Sequence, residues 1–480
     1  MSDSANANDS YRNAIVIGGS IAGLLAARIL SDCFEQVTII ESDSFPTQPQ
    51  WRQGVPQSHH AHILLSKGWQ ILEPLFPGLQ DELATAGAPL VDWTADFPLL
   101  GLGGWFPRFA SHIKTHPSSR NLLEWSIRQR LSNRSNISFL QGNKVIGLLS
   151  DTDNICVTGV QIGDYHSYTQ LTANLIVDAS GRNSQTPQWL KALNYNPPEE
   201  TEINSFLGYA SRWYQRPKHI QHDFEVLYLL AKPPHLTRGG VYYPLEDNRW
   251  IVTLMGVARD YPPTDEIGFL EFAKTLRSPL LYEVIKEAQA ISPIYGYRNT
   301  ANRLRHYEKL SRFPENFVVI GDAVCAFNPI YGQGMTVAAL GALTLKQCLE
   351  QQPQNTLTGL SKRFQKQLSK VNATPWLVAT AEDFRWTTTE GGSPNFVTKL
   401  MHRYLDKVML LAVESPETYQ AWVEVMHLEK TPTSLFKPEI LKRLLAKAIS
   451  QNWQSQENIQ EQTIPKKPNS PSDTLKGAAT

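Results

Sequence analysis

The sequence predicts an α/β protein with a Rossmann-like core, an inserted α+β segment and a helical C-terminal region. Three observations support this. A glycine-rich turn at residues 18–23 joins a short apolar run to a helix-periodic one. Two later apolar runs end in an acid, at Asp178 and near Asp322. Between them, residues 206–256 hold runs of aromatic and β-branched residues, which are typical of antiparallel strands.

The composition bears on the kind of partner and on the cellular compartment. The chain has 480 residues, enough to bury a large core, and its 45 Lys and Arg balance its 45 Asp and Glu. That balance gives no electrostatic reason to expect a nucleic-acid partner. The four cysteines are far apart and form no CxxC pair, so we expect free thiols and a cytoplasmic location.

The two ends of the chain are polar. Residues 1–12 lack the charged-then-apolar form of a signal peptide, and we expect them to be disordered. Residues 451–480 are rich in Gln, Asn, Ser, Pro and Lys, and we expect a disordered tail. No apolar run reaches the ~18 residues of a membrane span, although association with a membrane surface stays open.

The first strand, helix and second strand predict a dinucleotide-binding unit. Gly18 would make the tight turn, and Gly23 would let the helix approach the strand closely. Ser20 replaces the middle glycine of the usual fingerprint. The second strand ends at Glu41, which could accept a hydrogen bond from a ribose hydroxyl. An acid at this position favours FAD or NAD over NADP.

Residues 46–62 are loop-like and carry a cation and three histidines. Arg52 and the turn at residues 54–56 could approach a cofactor, although Arg52 could also be a solvated surface arginine. His59, His60 and His62 have no neighbouring Cys, Asp or Glu that would complete a metal site. We therefore expect no metal, and histidines that form hydrogen bonds near a pocket or serve structure alone.

A helix is predicted over residues 118–131, with Ser118 or Ser119 as its cap. Arg120 stands in its first turn, where a cation opposes the helix dipole. An anionic ligand could compensate this charge, and so could Glu124, four residues further on.

The stretch from residue 317 to residue 345 predicts a strand, an acid, a loop and a helix. The strand ends just before Asp322, and a loop with Pro329, Gly332 and Gly334 follows. Apolar residues at helical spacing begin at Met335. A carboxylate and a glycine-lined helix start would face one spot, which suits an anionic or electron-rich ligand.

The remaining elements form two groups. Strands are predicted at residues 206–213, 224–230, 240–244 and 250–256, and they fit an antiparallel sheet. Helices are predicted at residues 270–288, 375–386, 395–413 and 438–449, and the last three could cap a substrate opening.

The glycine-rich unit, the Asp178–Ser184 segment and Gly321-Asp322 occur in an order that resembles the class A flavin-dependent monooxygenases of the para-hydroxybenzoate hydroxylase type. The resemblance implies FAD, a Rossmann-like domain of glutathione-reductase type, and NADH or NADPH as co-substrate. It also implies reaction with O₂ through a flavin C4a-hydroperoxide. It further implies an FAD-binding domain of residues 13–200 and 300–350, substrate-domain segments of residues 46–115 and 201–299, and a helical region of residues 351–450.

The resemblance also implies site residues, with no catalytic group beyond the flavin. They are Gly18, Gly19, Ser20, Ala22 and Gly23 at the pyrophosphate, Glu41 at the adenosine ribose, Arg52 and Arg120 as FAD-contacting arginines, Asp322 at the ribityl chain, Gly332, Gln333, Gly334 and Met335 beside the isoalloxazine, and Val145, Asp178 and Pro329 elsewhere along the cofactor.

Finer motifs narrow the resemblance. RQGVPQ with the histidines, NPIYGQGMTVAAL and PWLVATAEDFRW are similar to segments of bacterial polyether and polyene epoxidases, and GMTVA to one of squalene epoxidase. Two departures stand out. Cys325 occupies a position where many aromatic hydroxylases have His, and DASGRNS replaces DGADGxxS, which weakens the carry-over of an NAD(P)H role to Asp178 and Arg182.

The expected activity is epoxidation or hydroxylation of an apolar, polyketide- or terpenoid-like small molecule. The alternatives are hydroxylation of a phenol or quinone ring, and reduction of isoprenoid double bonds on FAD. A halogenase is disfavoured because the chain has no WxWxIP segment. A non-catalytic flavin- or lipid-binding protein would be expected to have lost the 332–335 loop, which is intact.

Overall fold

The computed structural model describes residues 11–164, 167–217, 222–353, 356–449 and 464–468. Within these ranges the strands are, in chain order, β1 (Tyr11–Ile17), β2 (Phe34–Glu41), β3 (Val91–Asp92), β4 (Leu99–Gly101), β5 (Gly104–Trp105), β6 (Lys114–Thr115), β7 (Ile137–Gln141), β8 (Val145–Ser150), β9 (Val157–Gly163), β10 (Tyr168–Thr172), β11 (Leu175–Asp178), β12 (Glu200–Ile203), β13 (Gly208–Gln215), β14 (Leu227–Leu229), β15 (Arg238–Leu245), β16 (Arg249–Gly256), β17 (Gln289–Ala290), β18 (Tyr295–Tyr297), β19 (Asn302–Arg305), β20 (Phe317–Val319) and β21 (Cys325–Ala326).

The helices of the same ranges are, in chain order, α1 (Ile21–Leu30), α2 (Ser66–Leu75), α3 (Leu79–Thr85), α4 (Arg120–Ser132), α5 (Thr186–Ala192), α6 (Glu266–Lys274), α7 (Leu280–Ile285), α8 (Gly334–Glu350), α9 (Leu360–Asp383), α10 (Phe396–Ala412), α11 (Pro416–Met426) and α12 (Pro438–Ile449).

A parallel sheet with strand order β20-β11-β1-β2-β7 forms the core around the glycine-rich turn, and its strand β20 comes from much later in the chain than the others. The last four residues of β1 are all buried, as expected for a parallel strand that is covered on both faces. Helices α1 and α8 pack together, and the antiparallel sheet β10-β9-β8 contacts β11. Because the strands are parallel, their carboxyl ends meet at one edge. That edge carries Gly18, Glu41, Asp178 and Asp322.

A second, larger sheet has the order β17-β13-β16-β15-β14-β4-β5, with β18 paired to β13. It is antiparallel except where β14 meets β4. Strands β4 and β5 come from a much earlier part of the chain than the others, so the chain enters this sheet twice. The α/β fold with an antiparallel-rich second sheet confirms the predicted fold class. The division of the chain into domains stays a prediction.

One predicted helix is interrupted. Residues 270–288 form parts of two helices, α6 and α7, rather than one. Pro279 precedes α7 directly, and its ring and missing N–H prevent a helix from continuing through this position. The two short helices cover one face of the large sheet, where Phe269 and Leu281 are fully buried.

The helical C-terminal region is confirmed. The helix expected at residues 375–386 belongs to α9, which begins already at Leu360 and contains Pro375. Helix α10 matches the expectation, with Asn395 as a cap that accepts a hydrogen bond from Thr398 N at 2.8 Å. Helix α12 begins at Pro438, where the missing N–H costs nothing. Among the described residues, no helix combines the length and apolar character needed to cross a bilayer.

The two predicted disordered ends lie mostly outside the described residues, namely 1–10, 450–463 and 469–480. Two short pieces are described and differ from the expectation. Tyr11 and Arg12 belong to β1, because Tyr11 pairs with β2 and its ring contacts Phe34 at 5.2 Å. Residues 464–468 lie against the segment before β4, where Lys467 pairs with Asp96.

Candidate cofactor and substrate cavity

A cavity of about 1290 Å³ begins at the carboxyl edge of the parallel sheet and extends to the large sheet. Most sites for one small ligand enclose ~300–1,000 Å³. The volume therefore suits a large ligand together with a second one. Of the predicted site residues, those that line it are Gly18, Ser20, Ala22, Glu41, Arg120, Val145, Asp322, Pro329, Gly332, Gln333, Gly334 and Met335, and those that do not are Gly19, Gly23, Arg52 and Asp178.

The turn after β1 places the start of α1 at the cavity wall. Gly18 has a φ of +101°, a conformation that favours glycine, and its N–H donates to Ile40 O at 2.8 Å. A Cβ on Gly23 would lie 1.8 Å from Gly18 O, so only glycine fits there. Ser20, the cap residue, makes no side-chain cap. The first N–H groups of α1 thus remain available to an anion.

Glu41 is held in place by backbone at the end of β2. Its Oε2 accepts from Gly19 N at 2.9 Å, and its Oε1 accepts from Asp43 N at 3.1 Å. Gly19 itself faces Phe45 rather than the cavity. The carboxylate therefore lines the cavity in a fixed orientation, ready to accept from a ligand hydroxyl.

The two predicted arginines share one buried carboxylate. Glu124 Oε1 accepts from Arg52 Nη2 at 2.8 Å, and Glu124 Oε2 accepts from Arg120 Nη2 at 3.0 Å and from Ser20 Oγ at 2.7 Å. Burial acts to raise the pKa of Glu124, but the two arginines and Ser20 outweigh it, so this pKa lies below its usual value. Of the two partners expected for Arg120, the structure shows Glu124.

Arg52 is buried rather than solvated, which corrects the surface interpretation. It lies in a small crevice next to the main cavity and also pairs with Glu41 at 3.1 Å and with Asp43 at 3.6 Å. Three carboxylates thus surround one guanidinium. Together, Glu41, Asp43 and Glu124 outnumber the two arginines, so the partial positive charge at the start of α1 is what remains to attract an anion.

Asp178 points away from the cavity. Its carboxylate accepts from the hydroxyls of Ser180, Ser184 and Thr186, so it fixes the turn after β11. Residues 179–183, which come directly after it in the chain, line the cavity instead. Among them, Arg182 is held by Ala301 O at 2.6 Å and by Phe327 O at 3.0 Å.

Asp322 is presented by a turn after β20. Gly321 has a φ of +66° and packs against Ala22, which brings the end of β20 against the start of α1. Within the described residues, no group donates a hydrogen bond to the Asp322 carboxylate. Burial raises its pKa, while Arg182 and Arg120 act to lower it. This acid is free to accept hydrogen bonds from a ligand.

The loop before α8 forms the wall next to Asp322. Gly332 has a φ of +64°, and a Cβ there would lie 2.4 Å from Ile63. Gln333 does not cap α8 with its side chain, and its Oε1 has no partner among the described residues although it is buried. A Cβ on Gly334 would meet nothing within 4 Å. The uncapped helix start thus faces open space.

Beyond this loop the cavity becomes mainly apolar. Its far wall is formed by the large sheet, by the 93–102 segment and by the inner faces of α10 and α11. Representative lining residues are Trp93, Phe97, Tyr228, Tyr243, Met409 and Trp422. This composition suits an apolar organic ligand rather than a charged one.

The three histidines have different surroundings. His60 Nδ1 lies 2.8 Å from Ser211 Oγ, and burial lowers the pKa of His60 to about 3. Burial, with Arg120, lowers the pKa of His62 to about 4. Both line the cavity and are neutral at pH 7. His59 stacks against Tyr295 at 3.7 Å and does not line the cavity. In the described part of the chain, no three potential ligands are placed to hold a metal.

Sequence reasoning missed a polar network behind the 328–332 loop. Asp383, the last residue of α9, accepts from Tyr331 OH at 2.7 Å, from Asn328 Nδ2 at 3.0 Å and from Asn302 Nδ2 at 2.6 Å. His427, also buried at the wall, was missed too. The sequence offered a weak signal for this network: an acid, Asp383, near the end of a predicted helix and directly before Phe384.

Comparisons with known proteins place the chain in a family. No protein-family model matches it. It is 31% identical over 399 residues to protein Rv3254 of Mycobacterium tuberculosis, covering 79% of this chain and 82% of that protein. The chain belongs to the family of Rv3254.

Solved structures show the same fold at low identity. The flavin-dependent brominase Bmp2 matches with a TM-score of 0.64 and 14% identity, covering 92% of this chain and 100% of Bmp2. A flavoprotein/dehydrogenase from Cytophaga hutchinsonii matches with a TM-score of 0.64, 16% identity and the same coverage. PqsL of Pseudomonas aeruginosa, a probable FAD-dependent monooxygenase, matches with a TM-score of 0.57 and 15% identity. The match covers 78% of this chain and 97% of PqsL. The predicted fold of FAD-dependent flavoproteins is confirmed.

Proposed function

We propose that the protein is an FAD-dependent monooxygenase that uses NADH or NADPH and O₂. One observation carries the proposal. A single continuous cavity brings together Glu41, the open start of α1, Asp322 and the open start of α8, and it continues into an apolar chamber. An elongated cofactor with a diphosphate at its middle fits this order of groups.

The residues present fit FAD. Glu41 would accept from the adenosine ribose, and the N–H groups at the start of α1 would hold the pyrophosphate. Asp322, which lacks a donor among the described residues, would accept from the ribityl hydroxyls. The open space at Gly334 and the partnerless Gln333 Oε1 mark room and an acceptor for a flat, polar-edged ring.

The chain's own contribution is to bind, orient and exclude water. FAD, when bound, supplies the activation of O₂ and the oxygen transfer, so no separate acid–base pair is required. The partial positive charge at the start of α8 would stabilise negative charge on an adjacent ring. The apolar walls of the chamber would hold the substrate and keep water out.

The substrate that this chamber favours is an apolar alkene or ring, with epoxidation or hydroxylation as the outcome. The resemblance of three sequence segments to polyether, polyene and squalene epoxidases supports epoxidation. Cys325 favours neither epoxidation nor aromatic hydroxylation, because it is buried in β21 and does not line the cavity. We also propose a cytoplasmic site of action, which agrees with four free cysteines.

Halogenation is the second candidate, because Bmp2 is a flavin-dependent brominase with the same fold. The lack of a WxWxIP segment argues against it. Hydroxylation of phenols or quinones and reduction of isoprenoid double bonds are the other outcomes that an assay must separate.

The test uses purified protein. We expect flavin absorbance in the visible range and NAD(P)H oxidation that apolar alkenes stimulate, with matching O₂ uptake and a product one oxygen atom heavier. Stimulation by phenols alone would favour the aromatic hydroxylase. A saturated product without O₂ uptake would favour the reductase, and a halogenated product with added bromide the halogenase. A protein that takes up no FAD would refute the proposal.

A further inference from the structure

Asp383 is a buried acid in the cavity wall, and no described residue of opposite charge pairs with it. It is 1% exposed and ends α9, directly behind the loop of residues 328–332. The nearest cation in its own segment, Arg385, pairs instead with Glu382 at 2.8 Å and with Asp406 at 2.6 Å. Burying a carboxylate without a cation is costly, so its presence here calls for a reason.

Uncharged donors satisfy the carboxylate. Oδ1 accepts from Tyr331 OH and Asn328 Nδ2, and Oδ2 accepts from Asn302 Nδ2. The side chain therefore joins three separate elements: the loop, β19 and α9. Asn328 Nδ2 also lies 3.2 Å from Ser205 Oγ, which adds the segment before β13 to the same network.

The side-chain amides of Asn302 and Asn328 are each held in one orientation. Asn302 Oδ1 accepts from Asn328 N at 2.7 Å, and Asn328 Oδ1 accepts from Ile330 N at 3.2 Å. These backbone bonds orient both amides so that their NH₂ groups face Asp383. An acceptor-only group is needed between them, and a carboxylate is such a group.

We propose that Asp383, in its carboxylate form, is a positioning residue that holds the 328–332 loop in the shape that accepts the cofactor ring, and that its protonation loosens this loop. The inference rests on the proposed function. Asp383 acts through Asn328 and Tyr331, whose loop leads directly into the open start of α8. An amide in its place puts an NH₂ group against the NH₂ group of Asn302 or Asn328, and a proton on the carboxylate takes up one of the lone pairs that these donors and Tyr331 use.

The setting makes this titration relevant near neutral pH. Burial raises the pKa of Asp383 to about 6, against the lowering effect of its hydrogen bonds. The groups that face it from other elements, Tyr331, Asn328, Asn302 and Ser205, carry no charge, and burial holds the pKa of Tyr331 far above neutrality. In its own segment, Glu382 and Arg385 pair with each other. Asp383 is thus the group of this network that changes charge.

The test compares wild type with Asp383→Asn and with Asp406→Asn as the matched control. Asp406 carries the same charge and pairs with Arg385, but it does not line the cavity. The dissociation constant of FAD is measured on apoprotein by flavin fluorescence from about pH 8 to about pH 5. We expect wild-type affinity to fall below about pH 6, by up to about tenfold per pH unit.

Asp383→Asn should bind FAD weakly at every pH in this range and lose the inflection, whereas Asp406→Asn should follow wild type. Tyr331→Phe, which removes one donor, should lie between them and keep the inflection. A wild-type pH profile in Asp383→Asn would overturn the inference.

A second readout does not need the cofactor. Hydrogen exchange of apoprotein, measured by mass spectrometry, should be faster at residues 328–335 in Asp383→Asn than in wild type or Asp406→Asn. Unchanged exchange at this loop would overturn the inference even if no variant binds FAD. Absence of FAD binding in wild type at any pH would instead overturn the proposed function, so the two failures are distinguishable. Circular dichroism confirms that each variant is folded.

Discussion

Glu124 is the buried carboxylate that two arginines share near the start of α1. It is 6% exposed, and both Arg52 and Arg120 donate to it. Removing one partner of a buried ion pair costs about 3–5 kcal/mol, because the other charge stays buried and unpaired. We expect Glu124→Gln to lower the free energy of unfolding of the apoprotein by this amount.

The FAD-loaded form should lose less stability, because the pyrophosphate can compensate Arg120 in place of the carboxylate. Denaturant unfolding of both forms measures the difference. Glu82→Gln is the control, since its pair with Arg130 is partly exposed and worth roughly 0–1 kcal/mol. An equal loss in both forms would contradict a role for Arg120 near the cofactor.

The lowered pKa of Glu124 also predicts a pH dependence. Its folded-state pKa lies below the usual value of 4.5, so the stabilisation is present above pH 4.5 and is lost as pH falls through the folded-state pKa. Unfolding measured as a function of acidic pH should show this loss in wild type and less of it in Glu124→Gln. Identical acid profiles would contradict the assignment.

Asp322 is the residue expected to bind the ribityl chain. Asp322→Ala removes an acceptor that no described residue satisfies, so FAD affinity should fall at least ~10-fold while apoprotein stability changes little. Equilibrium dialysis with FAD measures the affinity. Glu271→Ala, which removes an exposed acid of α6, should leave it unchanged. Wild-type FAD retention by Asp322→Ala would contradict the ribityl assignment.

At the scale of elements, the two helix starts at the cavity respond differently to an added methyl group. In Gly23→Ala the Cβ would lie 1.8 Å from Gly18 O, which is backbone, so α1 must shift and the melting temperature should fall markedly. In Gly334→Ala the Cβ meets nothing within 4 Å, and the helix should form as well or better.

Gly334→Ala should nevertheless weaken FAD binding, because its methyl group occupies the space proposed for the ring. Thermal unfolding of the apoprotein and an FAD titration separate the two effects. If Gly334→Ala bound FAD as wild type does, the ring would have to lie elsewhere in the cavity.

Elements that depend on local pattern were predictable. The turn at Gly18, the strand ends at Glu41 and Asp178, and the start of α4 after its cap Ser119 all follow from spacing, glycine conformation and capping chemistry. The break between α6 and α7 was missed although Pro279 marks it, because apolar residues at helical spacing continue on both sides.

At the scale of the whole molecule, contacts between distant parts of the chain escaped prediction. Asp383 meets Asn328 across 55 residues of chain, and β14 pairs with β4 from a segment more than a hundred residues earlier. Periodicity carries no information about such pairings. The resemblance supplied roles for residues in recognisable motifs, and Asp178 shows its limit: its segment departs from the family's pattern, and its carboxylate accepts from three hydroxyls instead of facing the cavity.

The proposed function requires that the cavity at the carboxyl ends of the parallel strands binds FAD. Titration of the purified apoprotein with FAD, followed by flavin fluorescence and by the flavin content after gel filtration, tests it most directly. We predict saturable, stoichiometric binding that Asp322→Ala weakens and Glu271→Ala does not. A colourless protein that retains no FAD after the titration would contradict the claim.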